Sequence, residues 1–206
     1  GALSLAPIEV TALYQNLVST GFRVPLRAIR VVTRPDGELL SRYSFDTEQV
    51  LDAGVAYIGQ FALYDVMRSG TGKRAYLTFP EDYFIGGKTG TTDDFRDSWF
   101  VGFNGDMLTT VWMGKDNNKP TSLTGSSGAM EAWLRLYKSL PRTSFIPVAP
   151  ESVEWAWVDE QAGDLAAEDC QGAIALPFIK GSVPTVEGPC IERRSSLQRW
   201  LDSWWN

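Results

Sequence analysis

The spacing of apolar residues predicts a helix and then a hairpin at the start of the chain. Residues 6–20 repeat apolar side chains at helical spacing, and Pro7 suits the first turn of such a helix. Residues 28–33 and 38–43 are rich in β-forming side chains, and the Arg-Pro-Asp-Gly sequence at 34–37 between them is a turn signal. A helix followed by a two-stranded hairpin is therefore expected.

A longer helix is predicted over residues 47–69. Asp46 or Thr47 is positioned to cap its N-terminus, and the Gly-rich sequence at 69–72 is expected to end it. The side chains that we expect it to bury are Leu51, Val55, Ile58, Ala62 and Val66.

Three further strands and a third helix are predicted in the middle of the chain. The strands cover 83–92, 98–103 and 107–113, and a tight turn at Asn104-Gly105 joins the last two. The helix covers 126–140 and is expected to bury Met130, Trp133, Leu134 and Tyr137. Helices combined with hairpin-linked strands predict an α+β fold, in which an antiparallel sheet packs against helices.

The composition changes after Pro141, where prolines become frequent and the strand-like runs, such as 153–159, are short. This change predicts a first domain over residues 1–145. Residues 146–206 are then expected to form a small β-rich accessory module.

The two cysteines of the chain, Cys170 and Cys190, both lie in this module. If the chain is extracytoplasmic, a disulfide between them is the favoured interpretation, and it would be worth about 3 kcal/mol. Two free thiols are the alternative.

The last residues of the chain have the spacing of an amphipathic helix. The apolar positions are Leu197, Trp200, Leu201 and Trp204, with Trp205 beside them. Such a helix could bind a membrane interface or a partner protein, but packing back onto its own domain is the favoured interpretation.

The composition excludes several kinds of chemistry. The chain has 206 residues, no histidine and a formal net charge of −6. Without histidine, these residues can form neither a Ser-His-Asp triad nor a Cys-His pair nor an ordinary zinc site. The negative charge argues against binding to nucleic acid or anionic lipid. No run of about 18 apolar residues occurs, and Gly1 in place of an initiator Met predicts a processed or excised piece of a longer protein.

The sequence Lys88-Thr89-Gly90-Thr91-Thr92 is the strongest candidate for a functional site. Side chains on a strand alternate between faces, so Thr89 and Thr91 are expected to present two hydroxyls on one face, spaced to hold a carboxylate. Gly90 lets a substrate backbone lie close to the strand edge. Lys88 offers a cation that balances a substrate's charge or moves a proton. Acyl transfer here would need lysine as its base, because histidine is absent.

These motifs resemble those of class A penicillin-binding proteins, the bifunctional peptidoglycan synthases, over about the first 140 residues. The sequence at 86–92 resembles their Lys-Thr-Gly motif, which serine β-lactamases share. The sequences at 97–102 and 114–120 are similar to the two strands after it, and 68–72 is similar to their Gly-Thr-Gly helix end. Residues 1–10 are similar to the segment that follows their Ser-x-Asn motif. The tail resembles, more loosely, the C-terminal extension of the Gram-negative subtype.

The resemblance implies the rear half of a serine β-lactamase/penicillin-binding transpeptidase fold with a small β-rich tail. In such an enzyme a serine attacks the penultimate D-alanine carbonyl of a stem peptide, and the acyl group then passes to an amine. Lys88 and Thr91 would be catalytic, Thr91 through its backbone N–H in the oxyanion hole. The substrate-binding residues would be Thr89, Gly90, Thr91 and Thr92, although Thr92 is expected mainly to shape the next turn. No cofactor or metal is implied.

The chain departs from the family pattern in one important respect. None of its six lysines has a serine three residues before it, and no Ser-x-Asn sequence occurs. Tyr14-Gln15-Asn16 imitates a variant of the second motif, but we interpret it as helix surface. The resemblance therefore predicts a transpeptidase fragment that is inactive alone, with the serine, its lysine and the Ser-x-Asn loop upstream of Gly1.

The resemblance also implies partners and a location. They are the D-Ala-D-Ala stem peptide, β-lactams, and an upstream transpeptidase half with a glycosyltransferase domain. The Trp-rich tail, rather than the resemblance, adds a periplasmic regulator as a further candidate partner. Nucleic acid is not expected. The whole protein would lie on the periplasmic side of the bacterial inner membrane, with its anchor outside this chain.

Two alternative functions remain open from sequence. A serine β-lactamase or D,D-carboxypeptidase relative would share Lys-Thr-Gly, although the flanking sequence at 98–120 argues against it. A non-catalytic module that docks a periplasmic partner is the other. The charged loop at 93–97 could contact the peptidoglycan strand that carries the acceptor amine, but a solvated loop is the favoured interpretation.

Overall fold

A computed structural model describes residues 3–44 and 46–191 of the chain. The chain forms two compact units, which divide between Val148 and Ala149. The sequence predicted a division at residues 145/146.

The described residues of the first unit form three helices and three small antiparallel sheets. Its helices are α1 (Pro7–Val18), α2 (Ala53–Arg68) and α3 (Ala129–Lys138). Its strands are β1 (Phe22–Arg23), β2 (Val31–Thr33), β3 (Leu39–Arg42), β4 (Glu48–Gln49), β5 (Gly86–Thr91), β6 (Ser98–Phe103) and β7 (Leu108–Met113). Short 3₁₀ turns cover Lys73–Leu77 and Asp93–Phe95. The predicted α+β fold with antiparallel sheets is confirmed.

The first helix and the hairpin are confirmed. Pro7 opens α1, and β2 pairs antiparallel with β3 across the predicted turn. Gly37 takes a φ of +90°, a backbone conformation that glycine adopts without steric cost.

The predicted start of α2 is wrong by about one and a half turns. Asp52 caps the helix, since its carboxylate accepts from the N–H groups of Gly54 and Val55 at 2.8 and 3.3 Å. Residues 48–49, which were expected inside the helix, form the strand β4 instead and pair with β1. The chain is therefore extended where its apolar spacing alone suggested a helix.

The predicted buried stripe of α2 is wrong as well. The residues that α2 buries are Gly54, Ala56, Tyr57, Gln60, Leu63 and Met67. Val55, which was expected in the core, is 49% exposed. The apolar side chains of α2 lie on most faces of the helix, so the sequence fits more than one buried stripe. The neighbouring elements decide which of these faces is covered.

The strands β5, β6 and β7 form one antiparallel sheet in that order. All three were predicted, and β6 has the predicted bounds. The Asn104 side chain shapes the β6–β7 turn, because its Oδ1 accepts from the N–H groups of Asp106 and Met107 at 3.0 and 2.8 Å.

The third helix packs its buried face against this sheet. The four predicted core residues, Met130, Trp133, Leu134 and Tyr137, are all buried. Trp133 stacks on Tyr137 and meets the ring of Phe100 of β6 edge-on at 5.2 Å. Phe100 and Trp133 are fully buried, so this aromatic layer fixes α3 on one face of the sheet.

The second unit is built around one hairpin. Its strands are β8 (Val153–Asp159) and β9 (Ala173–Ile179), and β8 has the predicted bounds. A disulfide joins Cys170 to Cys190. The predicted Trp-rich tail helix lies outside the described residues. Within the ranges that the structure describes, no helix is long and apolar enough to span a bilayer.

Candidate functional site

The candidate site lies on β5, an outer strand of its sheet. Thr89 and Thr91 pair across the ladder with Phe100 and Ser98, which are fully buried. Paired residues in an antiparallel ladder share a face, so both threonines lie on the face that the core covers. The predicted placement of the two hydroxyls on one face of a strand is therefore correct.

Every second residue of β5 points its backbone N–H and carbonyl groups away from β6. The Thr92 N–H donates to the Asp97 carbonyl oxygen at 3.2 Å, which aims it at the β6 side. Successive N–H groups of a strand point to opposite edges, so those of Thr89 and Thr91 point away from β6. In the part of the chain that the structure describes, no strand pairs with this second edge. The Thr91 N–H therefore faces the open side of the strand.

Lys88 brings its ammonium to the same edge. Lys88 is exposed, and its Nζ donates to the Thr89 carbonyl oxygen at 2.8 Å. That carbonyl points the same way as the Thr89 N–H, away from β6. An ammonium has three protons, so one contact to a carbonyl leaves donors for an anionic ligand.

The Thr91 hydroxyl is oriented by a neighbouring loop. The N–H of Gly125, four residues before α3, donates to Thr91 Oγ1 at 2.9 Å. A backbone N–H can only donate, so Thr91 uses a lone pair in this bond and keeps its own proton for another acceptor.

Gly125 makes this bond possible because it packs directly on the backbone of the sheet. A Cβ at Gly125 would lie 2.7 Å from the nitrogen and oxygen of Gly90 and from the oxygen of Trp99. No side chain fits there without moving the loop. Gly125 was not predicted as a site residue, because a glycine in the Thr-Gly-Ser-Ser-Gly run gives no signal of a contact 34 residues away.

The Thr89 hydroxyl has a different partner. Thr89 Oγ1 lies 2.8 Å from Thr71 Oγ1, which belongs to the segment after α2. Thr89 is half-buried and Thr71 is exposed, so the pair lies at the rim of the sheet. The sequence marked 68–72 as a glycine-rich helix end but gave Thr71 no role.

Thr92, which was predicted as a substrate-binding residue that mainly shapes a turn, lies apart from the other two hydroxyls. Its hydroxyl donates to Asp97 Oδ2 at 2.9 Å and accepts from the Asp97 N–H at 2.8 Å. The Asp97 carboxylate also accepts from Trp112 Nε1 at 2.9 Å. These bonds brace the β5–β6 connection, and they leave no proton on Thr92 for a ligand.

A groove of about 310 Å³ runs beside the strand. All five residues of the 88–92 sequence line it, and apolar groups form the rest of its wall: Leu3, Leu5, Val10, Tyr14, Trp99 and Val101. Burial raises the pKa of the Tyr14 phenol, so this side chain stays neutral. The groove is therefore a largely apolar channel whose charge comes from Lys88.

The Tyr14-Gln15-Asn16 sequence lies on α1, as predicted, but it is half-buried rather than at the surface. Gln15 Oε1 accepts from the Val24 N–H at 2.9 Å, and its Nε2 donates to Ser19 Oγ at 2.6 Å. Gln15 therefore ties the helix to the chain that follows it, while Tyr14 lines the groove.

No group of His, Cys, Asp and Glu side chains within the described ranges could hold a metal ion. Lys88, Thr89, Gly90, Thr91 and Thr92 all line the groove. The Thr89 and Thr91 side chains lie on the opposite face of β5 from Trp99 and Val101, so their hydroxyls are available to a ligand only at the free edge of the strand. Such an arrangement can bind a carboxylate through hydroxyl and ammonium donors, and it can place a backbone N–H near a neighbouring carbonyl oxygen.

Comparisons with known proteins identify relatives along most of the chain, although no protein-family model matches it. Penicillin-binding protein 1B of Vibrio cholerae serotype O1 is 35% identical over 205 residues, which are 99% of this chain and 26% of the relative. Penicillin-binding protein 1B of Escherichia coli K12 is 38% identical over 159 residues, 77% of this chain and 19% of the relative. The chain thus spans about a quarter or less of the length of these relatives.

Solved structures share the fold. The crystal structure of penicillin-binding protein 1A from Haemophilus influenzae matches 91% of this chain and 34% of its own, with a TM-score of 0.80 and 23% identity. An imipenem acyl-enzyme complex of penicillin-binding protein A from M. tuberculosis matches 68% of this chain and 33% of its own, with a TM-score of 0.51 and 16% identity. The Vibrio relationship extends over nearly all 206 residues, β5 and its loops included. The chain therefore belongs, as a part, to the class A penicillin-binding proteins.

Proposed function

We propose that this chain supplies one wall of the D,D-transpeptidase site of a class A penicillin-binding protein. The observation that carries the proposal is the free edge of β5. The Lys88 ammonium and the Thr91 N–H face that edge, and the Thr89 and Thr91 hydroxyls lie along the same strand. The nucleophile belongs to a Ser-x-x-Lys segment outside these 206 residues, which contain no such sequence.

The terminal carboxylate of a D-Ala-D-Ala stem peptide binds the two hydroxyls. Thr91 contributes its proton, because its lone pair already accepts from Gly125. Lys88 adds the positive charge in a groove whose other walls are mainly apolar, and hydrogen bonds to charged groups are about twice as strong as neutral ones. The carboxylate thus fixes the peptide along the edge of β5.

The acyl transfer then proceeds at the penultimate carbonyl. The serine hydroxyl gives up its proton as its oxygen bonds to that carbonyl carbon, the peptide C–N bond breaks, and the terminal D-alanine leaves with a proton gained on its nitrogen. The Thr91 N–H donates to the oxyanion that develops on the carbonyl oxygen, a contact worth about 3–4 kcal/mol. An amine of a second stem peptide attacks the acyl-enzyme and restores the serine. A β-lactam, which carries a similarly placed carboxylate, enters the same site.

The same proposal gives the remaining assignments. Residues 1–145 form the C-terminal part of the transpeptidase domain, and residues 146–206 form an accessory module that docks a periplasmic regulator. The whole protein acts at the periplasmic side of the inner membrane together with a glycosyltransferase domain. The net charge of −6 supports a site that does not serve nucleic acid.

Fluorescent-penicillin labelling of the whole protein that contains this chain tests the proposal. We expect Lys88→Ala to slow acylation by at least about 100-fold, because it removes the cation that faces the carboxylate. Lys138→Ala, which removes an exposed lysine at the end of α3, is the matched control and should label at the wild-type rate. Unchanged labelling of Lys88→Ala would contradict the proposal.

The 206-residue chain by itself provides a second test. It should take up no covalent label, since it has no Ser-x-x-Lys sequence. A labelled serine within it would show that the nucleophile is misassigned. Rapid turnover of penicillin by the whole protein would favour a hydrolase over a synthase.

A further inference from the structure

We infer that Thr71 is a positioning residue that directs the hydroxyl proton of Thr89 toward the substrate carboxylate. The inference rests on the proposed function and extends it to a residue outside the Lys-Thr-Gly strand. The observation is the 2.8 Å contact between Thr71 Oγ1 and Thr89 Oγ1, in which either atom could donate.

The chemistry of the carboxylate settles the direction of this bond. A hydroxyl has one proton and two lone pairs, whereas a carboxylate can only accept. When Thr89 gives its proton to a carboxylate, its bond to Thr71 survives only if Thr71 donates. Thr71 thus stabilises the one orientation of Thr89 that serves the ligand, and a chain of such bonds strengthens each member.

The Thr91 hydroxyl provides an independent parallel in the same site. There the Gly125 N–H donates to the oxygen and leaves the threonine proton free. Thr71 then donates a hydrogen bond to Thr89 Oγ1, as the Gly125 N–H donates to Thr91 Oγ1. The two threonines that face the carboxylate are then set in the same way, one by a backbone group and the other by a side chain.

The end of α2 holds Thr71 in place. The Arg68 guanidinium lies over the ring of Tyr76 at 4.5 Å from its centroid, and its Nε donates to Tyr64 at 2.7 Å. Gly72 allows a tight turn directly after Thr71, because a Cβ there would lie 2.4 Å from the sulfur of Met67. The backbone that carries Thr71 is therefore fixed from both sides, and the contact with Thr89 orients its exposed side chain.

The test compares three variants of the whole penicillin-binding protein. Thr71→Val removes the hydroxyl at nearly constant volume, and Thr71→Ser keeps it. Ser69→Ala is the matched control, because Ser69 Oγ hydrogen-bonds to the carbonyl and carboxylate oxygens of Asp65 at the same helix end. Each variant reacts with a penicillin that has a free carboxylate and with the methyl ester of that penicillin, and thermal unfolding is recorded for all of them.

We expect Thr71→Val to lower the acylation rate constant for the acid about fivefold, the size of one lost hydrogen bond. The rate constant for the ester should fall less than about twofold, because a neutral ester accepts a weaker bond than a carboxylate. Thr71→Ser should restore the rate with the acid, and Ser69→Ala should match wild type with both ligands.

The inference is overturned by a wild-type rate for Thr71→Val, by equal losses with acid and ester, or by no recovery in Thr71→Ser. These outcomes differ from failure of the proposed function itself, in which wild-type protein is not acylated or Lys88→Ala labels normally. A loss shared by Thr71→Val and Ser69→Ala, with lowered unfolding temperatures, would assign Thr71 a purely structural role and also overturn it.

Discussion

At the scale of single residues, the hydrogen bonds distinguish a threonine that keeps its proton from one that gives its proton to the fold. Thr91 accepts a hydrogen bond from the Gly125 N–H and keeps its own proton free, whereas the Thr92 hydroxyl donates its proton to the Asp97 carboxylate. Strand alternation predicted which hydroxyls share a face. It could not predict their partners, because Gly125 and Thr71 are far away in sequence and carry no pattern that points to the strand.

This difference predicts different effects on acylation for two neighbouring substitutions. Thr91→Val should slow acylation of the whole protein by about tenfold, because a hydrogen bond to a charged carboxylate is lost, and should lower the free energy of unfolding by about 1–2 kcal/mol, because the N–H of buried Gly125 loses its acceptor. Thr92→Val should lower the free energy of unfolding by about 1–2 kcal/mol, because the Asp97 carboxylate and N–H lose their partner, and leave the acylation rate of folded protein near wild type. Chemical denaturation and penicillin kinetics on both variants measure this. Slow acylation of Thr92→Val, together with a wild-type acylation rate for Thr91→Val, would show that Thr92 is the ligand-binding residue.

At the scale of elements, the periodic patterns located the three long helices of the first unit and most strands, but they missed β1, β4 and β9. The bounds of β6 and β8 and the core face of α3 followed from the sequence, because each has one strong pattern. The start of α2 did not, since Asp52 rather than Asp46 or Thr47 caps it and the preceding residues pair as a strand. Tertiary pairing outweighed local propensity there.

The loop before α3 gives a prediction at this scale. Gly125→Ala places a methyl group 2.7 Å from backbone atoms of Gly90 and Trp99, so the loop must move and the bond to Thr91 must lengthen. We expect a loss of about 1–3 kcal/mol in the free energy of unfolding, together with at least a fivefold slower acylation.

Ser126→Ala, one residue further on, is the control for that experiment. It removes a hydroxyl whose recorded bond is a 3.1 Å contact with Thr124, and it adds no atom near the sheet. Wild-type stability and kinetics in Gly125→Ala would show that the glycine does not set the position of Thr91.

At the scale of the whole molecule, the site and the disulfide lie in different units. Lys88, Thr89 and Thr91 belong to the unit that ends at Val148, and Cys170 and Cys190 belong to the other. The sequence indicated two parts through the change in composition after Pro141. The family resemblance predicted the function in more detail than the composition did. The absence of histidine excluded a Ser-His-Asp triad and an ordinary zinc site, but it did not indicate a substrate.

This separation predicts that stability and acylation respond independently to the disulfide. Replacing both cysteines with serine reopens a loop of 20 residues, which should lower the free energy of unfolding of the second unit by about 3 kcal/mol through the entropy of the unfolded chain. Penicillin acylation should stay at the wild-type rate, because every hydroxyl and ammonium of the site lies in the first unit. Dithiothreitol should lower the unfolding temperature of wild type and leave that of the double variant unchanged. If the double variant were acylated much more slowly at a temperature where both units are folded, the second unit would have to support the groove, and the site could no longer be described by the first unit alone.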